Sequence, residues 1–365
     1  MEFKLNFGMK NNTVKVNGII YNKDNFNSLH ISSEPESSWY NAIYYFLKNW
    51  FDDSGFILVQ TSGSTGKPKN IQLAKQSMVN SALMTNQFFS LSSKSTALLC
   101  LPASYIAGKM MLVRAMVGGF NLITVEPTSN PFESLDITID FTAITPFQLF
   151  QSVESLRTKT VQKIIVGGSP VASKLEKLAK NIPSELYETY GMTETSSHIA
   201  LRRFNGAEKS DYFTVLEGVS IRQDQRGCLV IEAPHLLNEE IQTNDMVELI
   251  SPTSFRWLGR ADSTINSGGV KIHPEQVEKK LEGIISSNYF ISSIPDELLE
   301  NKVVLIIESE TYTPQQEEFL KSEMEKILDK YEIPKQIFFC SSFIYSPNNK
   351  LLRTETLEKQ KTNLN

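Results

Sequence analysis

An open α/β sheet carrying a β-rich subdomain, followed by a small α+β domain, is the fold class this sequence predicts, and three observations carry the prediction. Apolar strand-like runs at residues 97–101, 121–125, 142–144 and 163–166 alternate with segments of helical spacing, the rhythm of repeated βαβ units. From Phe213 to Gly259 the pattern changes to short alternating runs such as 227–231 and 246–250, separated by turn residues. Beyond Arg260-Ala261-Asp262 a second mixed pattern begins. The expected division is a domain of residues 1–261 and one of residues 262–365.

The elements follow in order. Residues 14–18 read as a short β start. Trp39, Ile43, Phe46, Leu47 and Trp50 recur at helical spacing and predict a helix with one buried face. Phe56-Ile57-Leu58-Val59 is strand-like and Asn70-Ile71-Gln72-Leu73 alternates like a second strand, so the residues between them tip a hairpin. Met78, Val79, Ala82 and Leu83 mark the next helix. In the C-terminal region Pro274 suits the first turn of a helix that carries Val277 and Leu281 on one face. Residues 303–307 form a strand. A helix follows with Phe319, Leu320, Met324, Ile327 and Leu328 on one side, and the charged tail after Leu357 is expected to fray.

With 365 residues, 41% hydrophobic and 21% charged, the chain is long enough for about two domains, each with its own core. A net charge of −5 with scattered lysines argues against a nucleic-acid surface and against an anionic membrane as partner. Cys100, Cys228 and Cys340 are widely spaced, which indicates neither a disulfide framework nor a zinc site and suits a reducing cytoplasm. The first residues lack the apolar core of a signal peptide, and the most apolar stretch, residues 110–120, is interrupted by Arg114 and too short to span a bilayer. A soluble cytoplasmic protein acting on small molecules is expected, its oligomeric state left open. A polyanionic ligand then needs a local basic site.

That site is the stretch between the two hairpin strands, Thr61-Ser62-Gly63-Ser64-Thr65-Gly66-Lys67-Pro68-Lys69. Gly63 and Gly66 let successive N–H groups converge on an anion, four hydroxyls add donors, and Lys67 and Lys69 add charge. A Walker A loop does not fit: counting from Gly63 puts Pro68 where the second glycine belongs, and a proline after Lys67 disfavours a helix there.

The loop resembles the signature of the adenylate-forming enzymes: acyl-CoA synthetases, stand-alone adenylation domains and luciferases. Further motifs stand in that family's order. They are Gly167-Gly168-Ser169-Pro170 after an apolar strand, Glu188-Thr189-Tyr190-Gly191-Met192-Thr193-Glu194-Thr195, Thr243-Asn244-Asp245, Gly259-Arg260-Ala261-Asp262, Asn266-Ser267-Gly268-Gly269-Val270-Lys271, and Asn348-Asn349-Lys350-Leu351-Leu352-Arg353. The shortened N-terminal part, with residues 101–114, is most similar to the short o-succinylbenzoate–CoA ligases of menaquinone synthesis.

The resemblance implies ATP, Mg²⁺ and CoA as ligands, a carboxylic acid as substrate, and a mobile C-terminal domain hinged near Asp262. It implies that Gly167 and Gly168 border the adenine, with Tyr190 as a stacking face, and that Glu188, Thr189 and Gly191 shape the same pocket. Thr193 then meets the α-phosphate, Glu194 holds Mg²⁺, and Asp245 grips the ribose hydroxyls, with Arg260 at the ribose or a phosphate. Asn244 replaces a glycine, which asparagine imitates by tolerating left-handed backbone. Gly268 and Gly269 line a pantetheine tunnel, and Lys350 is the catalytic lysine of adenylation.

For an aryl dicarboxylate a second cation is wanted to hold the carboxylate that does not react. Lys109 and Arg114 are the candidates, but on a helix they stand roughly 140° apart and do not share a pocket. Lys109, beside the opening expected at Gly108, is favoured; Arg114 is equally explained by packing or a surface ion pair. Tyr105 stands where relatives carry histidine, which points to ring stacking on the acid. The alternatives are a ligase for another acid, an adenylation enzyme loading a carrier protein, a non-catalytic nucleotide binder, and a phosphotransferase.

Overall fold

The computed structural model describes residues 13–35, 38–60, 70–310, 313–345 and 351–362, the side chains of 361 and 362 excepted. The chain divides into two compact units. Among the described residues, one comprises those up to 60, 70–220 and 232–240; the other comprises 221–231 and those from 241 onward.

The first unit runs through β1 (Val14–Val16), β2 (Ile19–Tyr21), α1 (Asn41–Trp50), β3 (Phe56–Gln60), β4 (Asn70–Ala74), α2 (Lys75–Phe88), β5 (Thr96–Leu99), α3 (Ile106–Gly118), β6 (Asn121–Thr124) and β7 (Ile139–Ile144). It continues through α4 (Pro146–Leu156), β8 (Val161–Val166), α5 (Ser173–Ala179), β9 (Glu185–Gly191), β10 (His198–Arg203) and β11 (Phe213–Val215). Its main sheet has the order β11-β10-β9-β8-β7-β5-β6-β1-β2. Pairing is parallel from β9 to β1 and antiparallel at both flanks.

Parallel strands are buried on both faces, and β5, β7 and β8 accordingly end in buried apolar residues. Leu98, Ile144, Ile164 and Val166 pack with Leu149, Val153 and Leu156 of α4 and Leu175 and Ala179 of α5. A capping box between Thr145 and Gln148, with Pro146 in the first turn, starts α4. Gly119, at φ +65°, ends α3 in the left-handed conformation. The predicted hairpin is present: β3 and β4 pair from Phe56↔Ala74 to Gln60↔Asn70. The loop it tips lies outside the described residues.

From β5 the chain passes through α3 to β6 on one side of the sheet, while β7 leads through α4 and β8 to β9 on the other. The order therefore reverses between β5 and β7. At such a switch the connections diverge and leave a crevice beyond the carboxyl ends of the strands, the usual ligand position in open α/β sheets.

In the second unit β12 (Ser220–Gln223), β13 (Cys228–Glu232), β14 (Ile241–Ser251) and β15 (Ser254–Arg260) lie side by side in that order. Then come β16 (Ile265–Ser267), β17 (Val270–Ile272), α6 (Pro274–Leu281), β18 (Tyr289–Asp296), β19 (Glu300–Glu308), α7 (Pro314–Ile327), β20 (Gln336–Cys340) and α8 (Arg353–Thr362). The sheet β17-β16-β19-β18, with β20 on β19, buries one face under Val277, Leu281, Leu320 and Met324. Its other face packs on Phe343 and Leu357.

Two expectations are corrected here. The buried stripe of α7 is narrower than its sequence reads: Phe319 is 64% and Ile327 41% exposed, because Leu320, Met324 and Leu328 alone face the sheet. The tail after Leu357 does not fray at that point. It continues as α8 to Thr362, with Leu357 in the core and the Thr356 hydroxyl bonded to the Leu352 carbonyl.

Candidate active site

The site residues expected in the first unit gather at the carboxyl ends of β5, β8 and β9, beside the switch. After β8 the chain enters Gly167-Gly168. A Cβ on Gly167 would stand 2.3 Å from the Thr189 hydroxyl, and Gly168 has φ +95°, so a side chain is excluded at the first position and strained at the second. Thr189 donates to the Val166 carbonyl at 3.3 Å. Tyr190 is half-buried, its ring 5.9 Å from that of Phe213. The result is a bare backbone ledge beside an aromatic ring.

Glu188 is engaged within the protein. One carboxylate oxygen accepts the Val171 amide at 2.8 Å and the other accepts Nε of Arg202 at 2.9 Å. Arg202 also binds Glu176 at 2.6 Å, and Glu176 takes Lys209 at 2.7 Å. Burial pushes the Glu188 carboxyl up and Arg202 pulls it back. Glu188, expected among the pocket residues, ties β9 to β10 through Arg202. Arg202→Leu should cost about 3–5 kcal/mol in urea denaturation, since it strands two buried carboxylates. A loss under about 1 kcal/mol would show that the pair is solvated.

The connection from β9 to β10 is held from inside by Thr195. Its hydroxyl bonds the Met192 and Ser197 carbonyls at 2.9 and 2.6 Å and accepts the Met192 amide, while Ser196 takes φ +63°. Thr195 and Ser196 are buried, Thr193 is half-buried and Glu194 is exposed, so the residues expected at a phosphate lie on the outer side of a tied turn. At Gly191 a Cβ would stand 2.5 Å from the backbone of His198. Close strand crossing demands that glycine.

Tyr105 caps α3 and is 51% exposed at the end of the β5 connection. Gly108 is not an opening. It is buried, and a Cβ there would stand 2.3 Å from the Pro102 carbonyl oxygen, so it serves helix packing. Lys109 folds back to donate to the Ser104 carbonyl, and burial lowers it to about 8.

Arg114 is neither on the surface nor ion-paired. It is 2% exposed, and no carboxylate among the described residues lies within salt-bridge distance of it. Nη2 donates to Ser197 at 2.5 Å, Nη1 has only the Met111 sulfur at 3.6 Å, and Nε is buried without a partner. Burial pulls it down to about 9, so it remains a cation at neutral pH. The sequence signal was an arginine inside an apolar helix; the missed partner is Ser197, which in turn meets His198, with Thr85 beyond it.

In the second unit the Thr243 hydroxyl bonds the Leu229 carbonyl at 2.8 Å and receives the Asp245 amide at 3.0 Å. Asp245, on β14, accepts the Trp257 indole N–H at 3.2 Å and has Arg260 3.9 Å away. Arg260 forms a two-point pair with Asp262 at 2.8 and 2.6 Å, which lowers the Asp262 carboxyl. Asn244 does not use left-handed backbone. It is an ordinary strand residue of β14, and its side-chain oxygen accepts from Arg226 at 3.0 Å. Gly268 and Gly269, at φ +59° and +81°, form the tight turn between β16 and β17.

Thr61, Ser62, Gly63, Ser64, Thr65, Gly66, Lys67, Lys69 and Lys350 lie outside the described residues. Leu351 pairs with Tyr345, and Arg353 binds Glu278 of α6 at 2.8 and 2.9 Å. Among the described residues there is no cluster of three or more His, Cys, Asp or Glu suited to a metal, and no helix long and apolar enough to cross a membrane.

The glycine ledge, the tied turn and the buried Arg114 belong to the first unit, and family comparison gives the class of protein. The profile of the AMP-binding enzymes matches residues 9–222, and this chain belongs to that family. Relatives include the 2-succinylbenzoate–CoA ligases of Bacillus cereus, 26% identical over 82% of this chain and 68% of the relative, and of Enterococcus faecalis, 24% identical over 83% and 69%. Among solved structures, an acyl-CoA synthetase (AMP-forming)/AMP-acid ligase II-like protein from Dyadobacter fermentans is 35% identical at TM-score 0.58, covering 90% of this chain and 96% of its own. An o-succinylbenzoate CoA synthetase from Bacillus subtilis, bound to the intermediate OSB-AMP, has the same fold at 21% identity and TM-score 0.71, over 82% of this chain and 68% of its own.

Proposed function

We propose that the chain is an ATP-dependent acid–thiol ligase that activates o-succinylbenzoate as an acyl-adenylate and passes the acyl group to CoA. The observation that carries the choice of acid is Arg114. A buried guanidinium without a counter-ion is costly, and a ligand carboxylate offsets that cost. Ser197, its partner, closes the same turn that carries Thr193 and Glu194. A substrate with one carboxylate to react and another to be held therefore suits this site, as do the names of the relatives.

A carboxylate is a poor electrophile. In the proposed reaction its oxygen attacks the α-phosphorus of ATP and pyrophosphate leaves; the CoA thiol then attacks the acyl carbon and AMP leaves. Negative charge growing on the phosphoryl oxygens is met by donors in the loop of residues 61–69, by Thr193 and by Lys350. The exposed carboxylate of Glu194 fits a hard cation, so Glu194 would hold Mg²⁺, which would supply positive charge against the phosphate oxygens. Gly167, Gly168 and Tyr190 bound the adenine, and Asp245 receives the ribose hydroxyls. The hinge is assigned to Asp262, with residues 262–365 turning so that Gly268 and Gly269 face the incoming thiol.

Acid-dependent exchange of pyrophosphate into ATP tests the choice of acid, with o-succinylbenzoate, benzoates and fatty acids compared. Exchange is expected with the aryl diacid and not with simple fatty acids. Exchange with a medium-chain fatty acid and none with the diacid would remove the assignment. Asp245→Ala should weaken ATP binding in calorimetry by about 2 kcal/mol or more, by removing a two-point acceptor. Unchanged affinity would mean that Asp245 does not contact the ribose.

A further inference from the structure

Arg114 sits at one end of a chain of hydrogen bonds in which every donor can be assigned. A guanidinium only donates, so the Ser197 hydroxyl accepts from Nη2 at 2.5 Å and its single hydrogen is left for Nδ1 of His198, 3.2 Å away. An imidazole accepting at Nδ1 in its neutral form carries its proton on Nε2, and Nε2 lies 3.4 Å from the Thr85 hydroxyl. Thr85 donates onward to the Ser81 carbonyl at 3.1 Å, one turn back in α2. Burial, with the nearby charge of Arg114, holds His198 well below the ordinary imidazole range, which keeps that neutral form at neutral pH.

Three elements meet here: Thr85 from α2, Arg114 from α3, and Ser197 and His198 at the start of β10. Thr85 is fully buried and His198 is 5% exposed, so water does not substitute for either. None of the chemical steps above uses them. The Asn86 amide also donates to the Arg114 carbonyl at 2.9 Å, which fixes the backbone from which the guanidinium extends.

We infer that His198 is a positioning residue for acid selection: with Thr85 behind it, it orients the Ser197 hydroxyl so that Arg114 is held with its unpartnered N–H ready for the diacid's non-reacting carboxylate. This rests on the reading of Arg114 as the anchor of that carboxylate. An arginine held in one orientation loses less freedom when the ligand arrives, so the effect belongs to binding of the diacid and not to the chemistry.

The test compares o-succinylbenzoate with the same acid carrying a primary carboxamide in place of the carboxylate that does not react, following pyrophosphate release. His198→Phe should raise KM for the diacid about 10-fold, leave kcat within about twofold, and leave KM for the monoamide unchanged. His198→Gln can accept from Ser197 and donate to Thr85, and should restore the diacid KM to within about threefold of the parent. Thr85→Val cuts the chain at its far end without touching Arg114 or Ser197. It should raise the diacid KM alone, and it decides the matter if His198→Phe does not fold. Equal rises for diacid and monoamide, or no rise in either, would overturn the inference. Arg114→Met separates the two readings. If it leaves the preference for the diacid intact, the anchor itself is wrong; if it erases that preference while the His198 and Thr85 variants keep it, only the positioning role fails.

Discussion

Arg114→Met is expected to lower kcat/KM for o-succinylbenzoate by ~10²–10³-fold, about 3–4 kcal/mol of binding to a charged partner. The monoamide analogue should lose little. The ligand-free protein should meanwhile be as stable as before or more stable, by on the order of 1 kcal/mol, because an uncompensated buried charge is replaced by an apolar chain of similar length. Few substitutions improve a fold while disabling it, and the pairing follows from the physics of this one residue: Arg114 is 2% exposed, lacks a carboxylate partner among the described residues, and leaves Nε unpaired. Initial-rate kinetics beside a melting curve check both halves. A marked fall in melting temperature with unchanged diacid kinetics would make Arg114 a packing residue.

Lys350→Ala is expected to slow adenylation by ~10²-fold or more if, as proposed, the lysine meets the charge that develops only as pyrophosphate departs. Thioester formation should survive. Given synthetic acyl-adenylate and CoA, the variant should make thioester at nearly the parent rate, because the lysine has no part in thiol attack. Equal losses in both half-reactions would mean that residues 262–365 do not turn about Asp262, or that Lys350 is structural. No loss in either would mean that the motif's departure from the family pattern, Asn349 for glycine, marks a different lysine as the catalytic one.

Where local pattern decides structure, the sequence was readable. The strand before Thr61 and the alternation after Lys69 foretold a hairpin, and Gln60 does pair with Asn70. The βαβ rhythm foretold an open α/β sheet, and Gly167, Gly168 and Gly191 through Glu194 fall at the carboxyl ends of β8 and β9, one and two strands beyond β7 and its switch. Where tertiary contact decides, pattern failed. Gly108 read as an opening because glycine has no side chain, yet what it accommodates is the Pro102 carbonyl. Glu188 read only as part of the nucleotide pocket, and nothing in the local pattern announced Arg202, fourteen positions along the chain and opposite it in the sheet, as the partner of its carboxylate. Lys109 was preferred over Arg114 for its place beside the opening expected at Gly108, while helical angle said only that the two do not share a pocket; neither says which of them is covered. The covering comes from Ser197 and His198, more than eighty residues away in sequence.

In the proposed reaction the chain joins an aryl diacid to CoA with cleavage of ATP to AMP. One measurement tests it most directly: o-succinylbenzoate, ATP, Mg²⁺ and CoA are incubated with the protein, the acyl product is identified by mass, and the nucleotide products are quantified. The expected product is the CoA thioester, with AMP and pyrophosphate formed in equal amounts to it. ADP and phosphate in place of AMP and pyrophosphate, or a thioester from a fatty acid but none from the diacid, would contradict it.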